Sequence, residues 1–218
     1  MAFTIAYSRK NNPAYQASCF KTMLRLVVTV IFFSPVSINM LYADNKQTET
    51  TYAVSTPGFS IQSLETQMQD RVYLLTANFN YHFSTEAIEA LEHGVPLLIL
   101  VDIEIRSPRW WWSDTTIAEL EQGYLLLYHA LSESYVVHNL NSGTQNNFIR
   151  LDQALNFLSK IKKLPILDAN LLDPKKEYYL RVRTHLDIES LPAPMRPLAY
   201  ISSDWQLSSD WYEWPLQK

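Results

Sequence analysis

The feature that most constrains this chain is a period-two alternation of apolar and polar residues, repeated in three separate segments. In Tyr178–Ile188 one face carries Tyr178, Leu180, Val182, Thr184, Leu186 and Ile188, and the other carries Tyr179, Arg181, Arg183, His185 and Asp187. In 95–106, Val95, Leu97, Ile99, Val101, Ile103 and Ile105 alternate with a face ending in Asp102, Glu104 and Arg106. In 71–83, Tyr73, Leu75, Ala77, Phe79, Tyr81 and Phe83 alternate with Thr76, Asn78, Asn80 and His82. Side chains of a strand point alternately to its two faces, so each segment reads as a strand with one buried face.

Further strands are expected at Tyr124–Leu131, apolar on both faces, at Tyr135–Leu140 and around Phe148–Arg150. Ser132-Glu-Ser134 would join the first two as a hairpin, and a two-residue turn at Glu133-Ser134 would set His129 opposite His138. Asn141-Ser-Gly143 supplies a second turn. Two helices are expected. Ser84 or Thr85 caps Glu86–Glu92, with Gly94 placed to end it, and Asp152 opens Gln153–Lys163, where Ala154, Leu155, Phe157, Leu158 and Ile161 share one face. The predicted fold is mainly β: an antiparallel sandwich of immunoglobulin-like character with two short inserted helices.

The N-terminus supplies an address. Residues 1–43 hold four basic residues (Arg9, Lys10, Lys21, Arg25), no acid, the apolar run Leu26–Phe33, and a tail ending Leu41-Tyr-Ala43. A basic region, a short apolar region and a small residue before the cut describe a secretory signal peptide. Met23 is an alternative start that gives a shorter basic region. The competing reading is an inner-membrane anchor at residues 26–42, but 17 residues broken by Pro35 and Asn39 fall short of the roughly 20 apolar residues of a spanning helix. Cleavage after Ala43 leaves a polar lead-in, 44–57, and one β-rich domain, 58–218, in the bacterial periplasm.

Composition excludes several chemistries for that mature part. It carries 14 basic and 22 acidic residues, a net charge of −8, which disfavours nucleic acid and anionic membrane as partners. The only cysteine, Cys19, precedes the apolar run, so the domain has no disulfide, thiol nucleophile or cysteine metal site. His82, His93, His129, His138 and His185 lack zinc spacing, and four glycines leave no phosphate-cradling loop. Gly58-Phe-Ser60 continues as Ile61-Gln62, not as a nucleophile elbow, and no His-Glu-x-x-His occurs. No catalytic residue, metal or cofactor is expected.

Tryptophan is the distinctive residue. Trp110, Trp111 and Trp112 follow Arg106-Ser-Pro-Arg109, while Trp205 and Trp211 sit in a tandem, Ser202-Ser-Asp-Trp and Ser208-Ser-Asp-Trp, closed by Trp214. Arg106, Arg109 and these six indoles form the candidate binding surface, either as hot spots for a protein partner or as a stack for sugar rings. The plainer alternative is packing: the C-terminal tandem plugs the sandwich against the 106–112 corner, bringing both clusters together with the arginines on the indole faces. Asp102 and Glu104, two apart on one face, have acid–base spacing. Arg181 and Arg183 share the same alternation on another strand, and cross-strand ion pairing on a solvent face explains all four residues.

Ala90-x4-Val95-Pro-Leu, Arg106-x-Pro-Arg-Trp-Trp-Trp112, Tyr124-x-Leu-x-Tyr-His-Ala-Leu131 and Asp204-Trp-x-Leu-Ser-Ser-Asp-Trp-Tyr-x-Trp214 resemble the exported bacterial domain-of-unknown-function 4390 family, from about residue 58 onward. The resemblance implies no activity and no catalytic residue. Members are often encoded beside a membrane sensor kinase, which implies an envelope-sensing context. The expected function is a non-catalytic periplasmic module that binds another envelope protein, with a glycan- or peptidoglycan-binding module and an enzyme of unknown type as alternatives.

Overall fold

The computed structural model describes residues 56–111 and 113–216. The expected signal peptide, the possible anchor at 26–42, nearly all of the lead-in and Trp112 lie outside the described residues. Among the described residues no helix is long and apolar enough to cross a membrane.

The alternating segments form the strands that carry the core. In β3 (Leu97–Ser107) the odd positions are buried throughout and the even ones half-buried. A one-residue slip would expose five aliphatic side chains worth about 1.5–3 kcal/mol each, so this register is firmly held. β2 (Val72–His82) and β8 (Tyr179–Leu186) bury the same alternate sets, Tyr73 to Tyr81 and Leu180 to Leu186.

Two antiparallel sheets face each other like a sandwich and remain open at their edges. The smaller has the order β1-β2-β7, with β1 Gly58–Gln69 and β7 Lys160–Asp168. The larger has the order β6-β5-β4-β3-β8-β9, with β4 Thr115–His129, β5 Ser134–Asn139, β6 Gln145–Phe148 and β9 Tyr212–Pro215. One hydrophobic cluster draws on both sheets, from Leu75, Ala77 and Phe79 on one side to Ile99, Val101, Leu180 and Val182 on the other. A polar contact bridges them inside it: the Tyr81 and Thr184 hydroxyls lie 3.3 Å apart, and burial pushes the Tyr81 phenol well above its ordinary pKa.

The first helix, α1 (Thr85–Glu92), forms as expected. Ser84 Oγ accepts the Ala87 N–H at 3.1 Å, and Gly94 follows the helix with φ +86°. The second expected helix is cut short. Only Leu151–Leu158 is helical (α2), and residues 159–163 turn into β7, where Ile161 lies opposite Ala77 of β2. Ile161 thus reaches the core from a strand, because pairing with the uncovered edge of β2 outweighs helix propensity there. A third helix, α3 (Arg196–Ile201), stands beyond the two expected.

The β4–β5 turn also differs. His129 pairs with Ser134 and Leu125 with His138, so the two histidines are not opposite each other. The connection is a four-residue turn, 130–133, with Glu133 in the left-handed region at φ 45°, which shifts the register from the two-residue expectation.

Candidate functional site

The segment between β3 and β4 is built to project. Pro108, which lacks an N–H, ends β3, and Asp114 ties the far end of the loop back to the sheet. Its carboxylate accepts the Tyr179 hydroxyl at 2.6 Å and the Arg109 N–H at 3.2 Å, while its backbone carbonyl accepts Arg106 Nη2 at 3.0 Å. The Tyr179 hydrogen bond, the Arg109 N–H and the nearby Arg106 charge hold the Asp114 carboxyl below its ordinary pKa. Burial, and then Asp114 itself, raise that of Tyr179. With its base so fixed, the loop carries Trp110 and Trp111 at 87% and 69% exposure. Their ring centroids are 4.4 Å apart at 75°, an edge-to-face pair.

Two grooves flank this tip. One of about 320 Å³ is lined by Pro108, Arg109, Thr115, Ile117, Lys176 and Glu177, among others. Another of about 640 Å³ is lined by Pro108, Glu177, Tyr178, Tyr179, Pro215 and Leu216. They meet at Pro108 and Glu177, so one end of the sandwich combines aromatic, proline and basic groups.

The C-terminal tryptophans go elsewhere. Trp205 is buried at 6% exposure, and the adjoining Asp204 carbonyl accepts Ser84 Oγ at the start of α1. Trp214 lies opposite Leu180 and packs against the core from β9. Trp211 lies on the outer face of the larger sheet, its ring centroid 3.9 Å from the Arg181 guanidinium and 4.7 Å from that of Arg183. The expected plug therefore fails for Trp110 and Trp111: the tandem covers β8 and α1 and leaves both in solvent, although the end of β9, at Pro215 and Leu216, shares a groove with Pro108 at the foot of the tip. The cations on its indole are Arg181 and Arg183, not Arg106 and Arg109. The repeated Ser-Ser-Asp explains why the tandem diverges. Ser202 Oγ binds the Asp204 carboxylate, whereas Ser209 Oγ accepts the buried Thr184 N–H and pins the second repeat to β8.

Beneath Trp211 the expected ion pairs are present. Asp102 lies opposite Arg183 and Glu104 opposite Arg181 across β3 and β8. Arg181 binds Glu104 through two nitrogens at 2.8 and 3.2 Å, and Arg183 reaches Asp102 at 2.7 Å. His185 Nδ1 stands 3.4 Å from Asp102, and Arg106 Nε 3.9 Å from Glu104. These carboxylates lie on a sheet face, and neither lines the two grooves beside the tip. Among those residues no cluster of three or more metal-ligating side chains forms.

Sequence reasoning missed Asp114 and Tyr179, which tie down the tip. The only signal available was an acid shortly after the tryptophan run, and its partner is 65 residues away. Residues 56–215 match the model of the family described as Domain of unknown function (DUF4390), and the chain belongs to that family. No curated protein and no solved structure matches the chain.

Proposed function

We propose that this member of the domain-of-unknown-function 4390 family is an exported, periplasmic, non-catalytic module that binds another envelope protein through the Trp110–Trp111 tip. The observation that carries the reading is the exposure of two adjacent indoles on a loop whose base is fixed by Asp114. Leaving so much apolar surface in water disfavours the free protein and rewards a partner that covers it. Tryptophan and arginine are also the residues in which interface energy concentrates, and Arg109 adjoins the pair. A protein fits better than a glycan. Rings set at 75° to each other offer no flat shared platform for stacked sugars, but they fill a pocket well.

A photo-crosslinking amino acid at position 111, with a control at exposed Glu65 on β1, tests this in cells. The expected result is one discrete adduct from position 111 and none from position 65. Trp110→Ala with Trp111→Ala should abolish partner recovery while leaving the melting temperature near that of the parent protein. Equal labelling at both positions, or undiminished recovery by the double variant, would remove the tip from the function.

A further inference from the structure

β4 is paired unequally on its two sides. Toward β3 it is bonded from Thr115 to Leu126, but toward β5 only Tyr124–His129 are matched. Where β5 stops, the Asn141 side chain stands in for a strand: its Oδ1 accepts the Gly123 N–H at 2.8 Å and its Nδ2 donates to the Glu121 carbonyl at 2.8 Å. Backbone groups alternate sides along a strand, so Glu119 turns its N–H and C=O the same way as Glu121 and Gly123. Among the described residues nothing pairs with that side between Thr115 and Leu120.

The side chains along this open edge have a definite chemistry. Glu119 lies directly opposite Glu104, and Glu121 opposite Asp102. Like charges facing each other across strands are unfavourable. Arg181 and Arg183 relieve only the inner two acids, from the far side of β3. Among the described residues neither Glu119 nor Glu121 has a cation within ion-pair distance, and both are exposed. On the other face Ala118 and Leu120 are half-buried against the core. The edge begins at Thr115 and Ile117, which line the groove beside Arg109 at the foot of the tryptophan tip.

From this we infer that residues 115–121 of β4 are a strand-addition site, and that its occupant is an extended segment of the partner protein alternating basic with apolar residues. Its backbone continues the larger sheet past the point where Asn141 ends the β5 pairing. Its lysines or arginines meet Glu119 and Glu121, and its apolar residues extend the row of Ala118 and Leu120. This deepens the protein-binding reading and rests on it, because the segment would leave the sheet beside Trp110 and Trp111.

The test uses a fluorescein-labelled decapeptide alternating lysine and valine, titrated into the full chain and followed by polarisation. Saturable binding is expected. Methylating alternate backbone nitrogens in the edge-facing register should weaken it by about tenfold or more, because several backbone hydrogen bonds are lost together. The E119K/E121K double variant should lose a similar factor while melting no lower than the parent protein, since the like-charge pairs with Glu104 and Asp102 are relieved, and an alternating glutamate–valine peptide should not bind. Absence of saturable binding, equal binding by both methylated registers, or equal binding by the acidic peptide would overturn the inference. Trp110→Ala with Trp111→Ala separates this from the broader reading. Those changes should leave binding of the short peptide intact while abolishing capture of the partner in cells.

Discussion

The Arg181 guanidinium lies 3.9 Å from the centre of the Trp211 ring while binding both oxygens of Glu104 at 2.8 and 3.2 Å. The arginine is thus sandwiched between an indole and a carboxylate, and the second repeat of the C-terminal tandem becomes a cover over the ion pairs of the sheet. Arg183 makes the same two kinds of contact with Trp211 and Asp102.

This arrangement separates two tryptophans that look alike in sequence. Trp205 is buried, so Trp205→Ala should cost about 3–5 kcal/mol, as other large aromatic truncations in cores do. Trp211 is half-buried and held by cations, so Trp211→Ala should cost about 0.5–2 kcal/mol from the lost cation–π contact. Urea denaturation of both variants checks the order. Equal losses would mean that Trp211 is a core residue in all but exposure.

Ser84 performs two jobs with one hydroxyl. It accepts the Ala87 N–H at the head of α1 and donates to the Asp204 carbonyl at 2.7 Å, so it joins the helix to the tandem. Loss of a helix cap alone costs about 0.5–2 kcal/mol. Ser84→Ala also strips the Asp204 carbonyl of its donor, so its loss should exceed that of Ser84→Thr, which can keep both bonds. Comparing the two melting curves checks this. Equal destabilisation would show that steric fit, not hydrogen bonding, sets the position.

Export makes a prediction of its own. Protein recovered from the periplasm should begin at Asp44, and its intact mass should lack residues 1–43. Recovery only with membranes, at full-length mass, would favour the anchor at residues 26–42.

The strands most clearly written in the sequence were those whose two faces meet different surroundings. β2, β3 and β8 each press one face on the core and turn the other outward, so their alternation is clean, and Asp102, Glu104, Arg181 and Arg183 announced their pairing. β1 was not evident because a register shift between Ile61 and Ser63 breaks its alternation, and its turn, Asp70-Arg71, reaches positive φ without glycine. β7 was hidden because Ala154, Leu155, Phe157, Leu158 and Ile161 satisfy a helical stripe as a group, although the last belongs to a strand. The candidate site was half visible. The exposed tryptophans carried a clear sequence signal, but their divergence from the C-terminal tandem depends on Ser209 reaching Thr184, a contact that no local pattern encodes.

The last prediction concerns the lock at the base of the tip. Asp114 has its pKa lowered first by the Tyr179 hydrogen bond and then by the Arg109 N–H, and Tyr179 has its own raised by burial and by Asp114. A lowered folded-state pKa means that the carboxylate's contribution is fully present above its unfolded value, about 3.9, and is lost as pH falls through the folded one. A raised tyrosine pKa means that its contribution is present below its unfolded value, about 10, and is lost as pH rises through the folded one. The lock should therefore hold between those limits and open at either extreme. Hydrogen exchange at the Arg109 amide, referenced to the intrinsic rate at each pH, should show constant protection from about pH 5 to 9 and lose it only once the pH has fallen below the ordinary carboxylate value of about 3.9. Asp114→Asn should abolish the acid-side loss, because asparagine does not titrate. Tyr179→Phe should lower protection at every pH and move the acid-side loss upward, toward the ordinary carboxylate range, since the hydroxyl is the largest contribution to the Asp114 shift. An acid-side midpoint that stays put in Tyr179→Phe would show that the Arg109 N–H and the Arg106 charge hold Asp114 without the tyrosine.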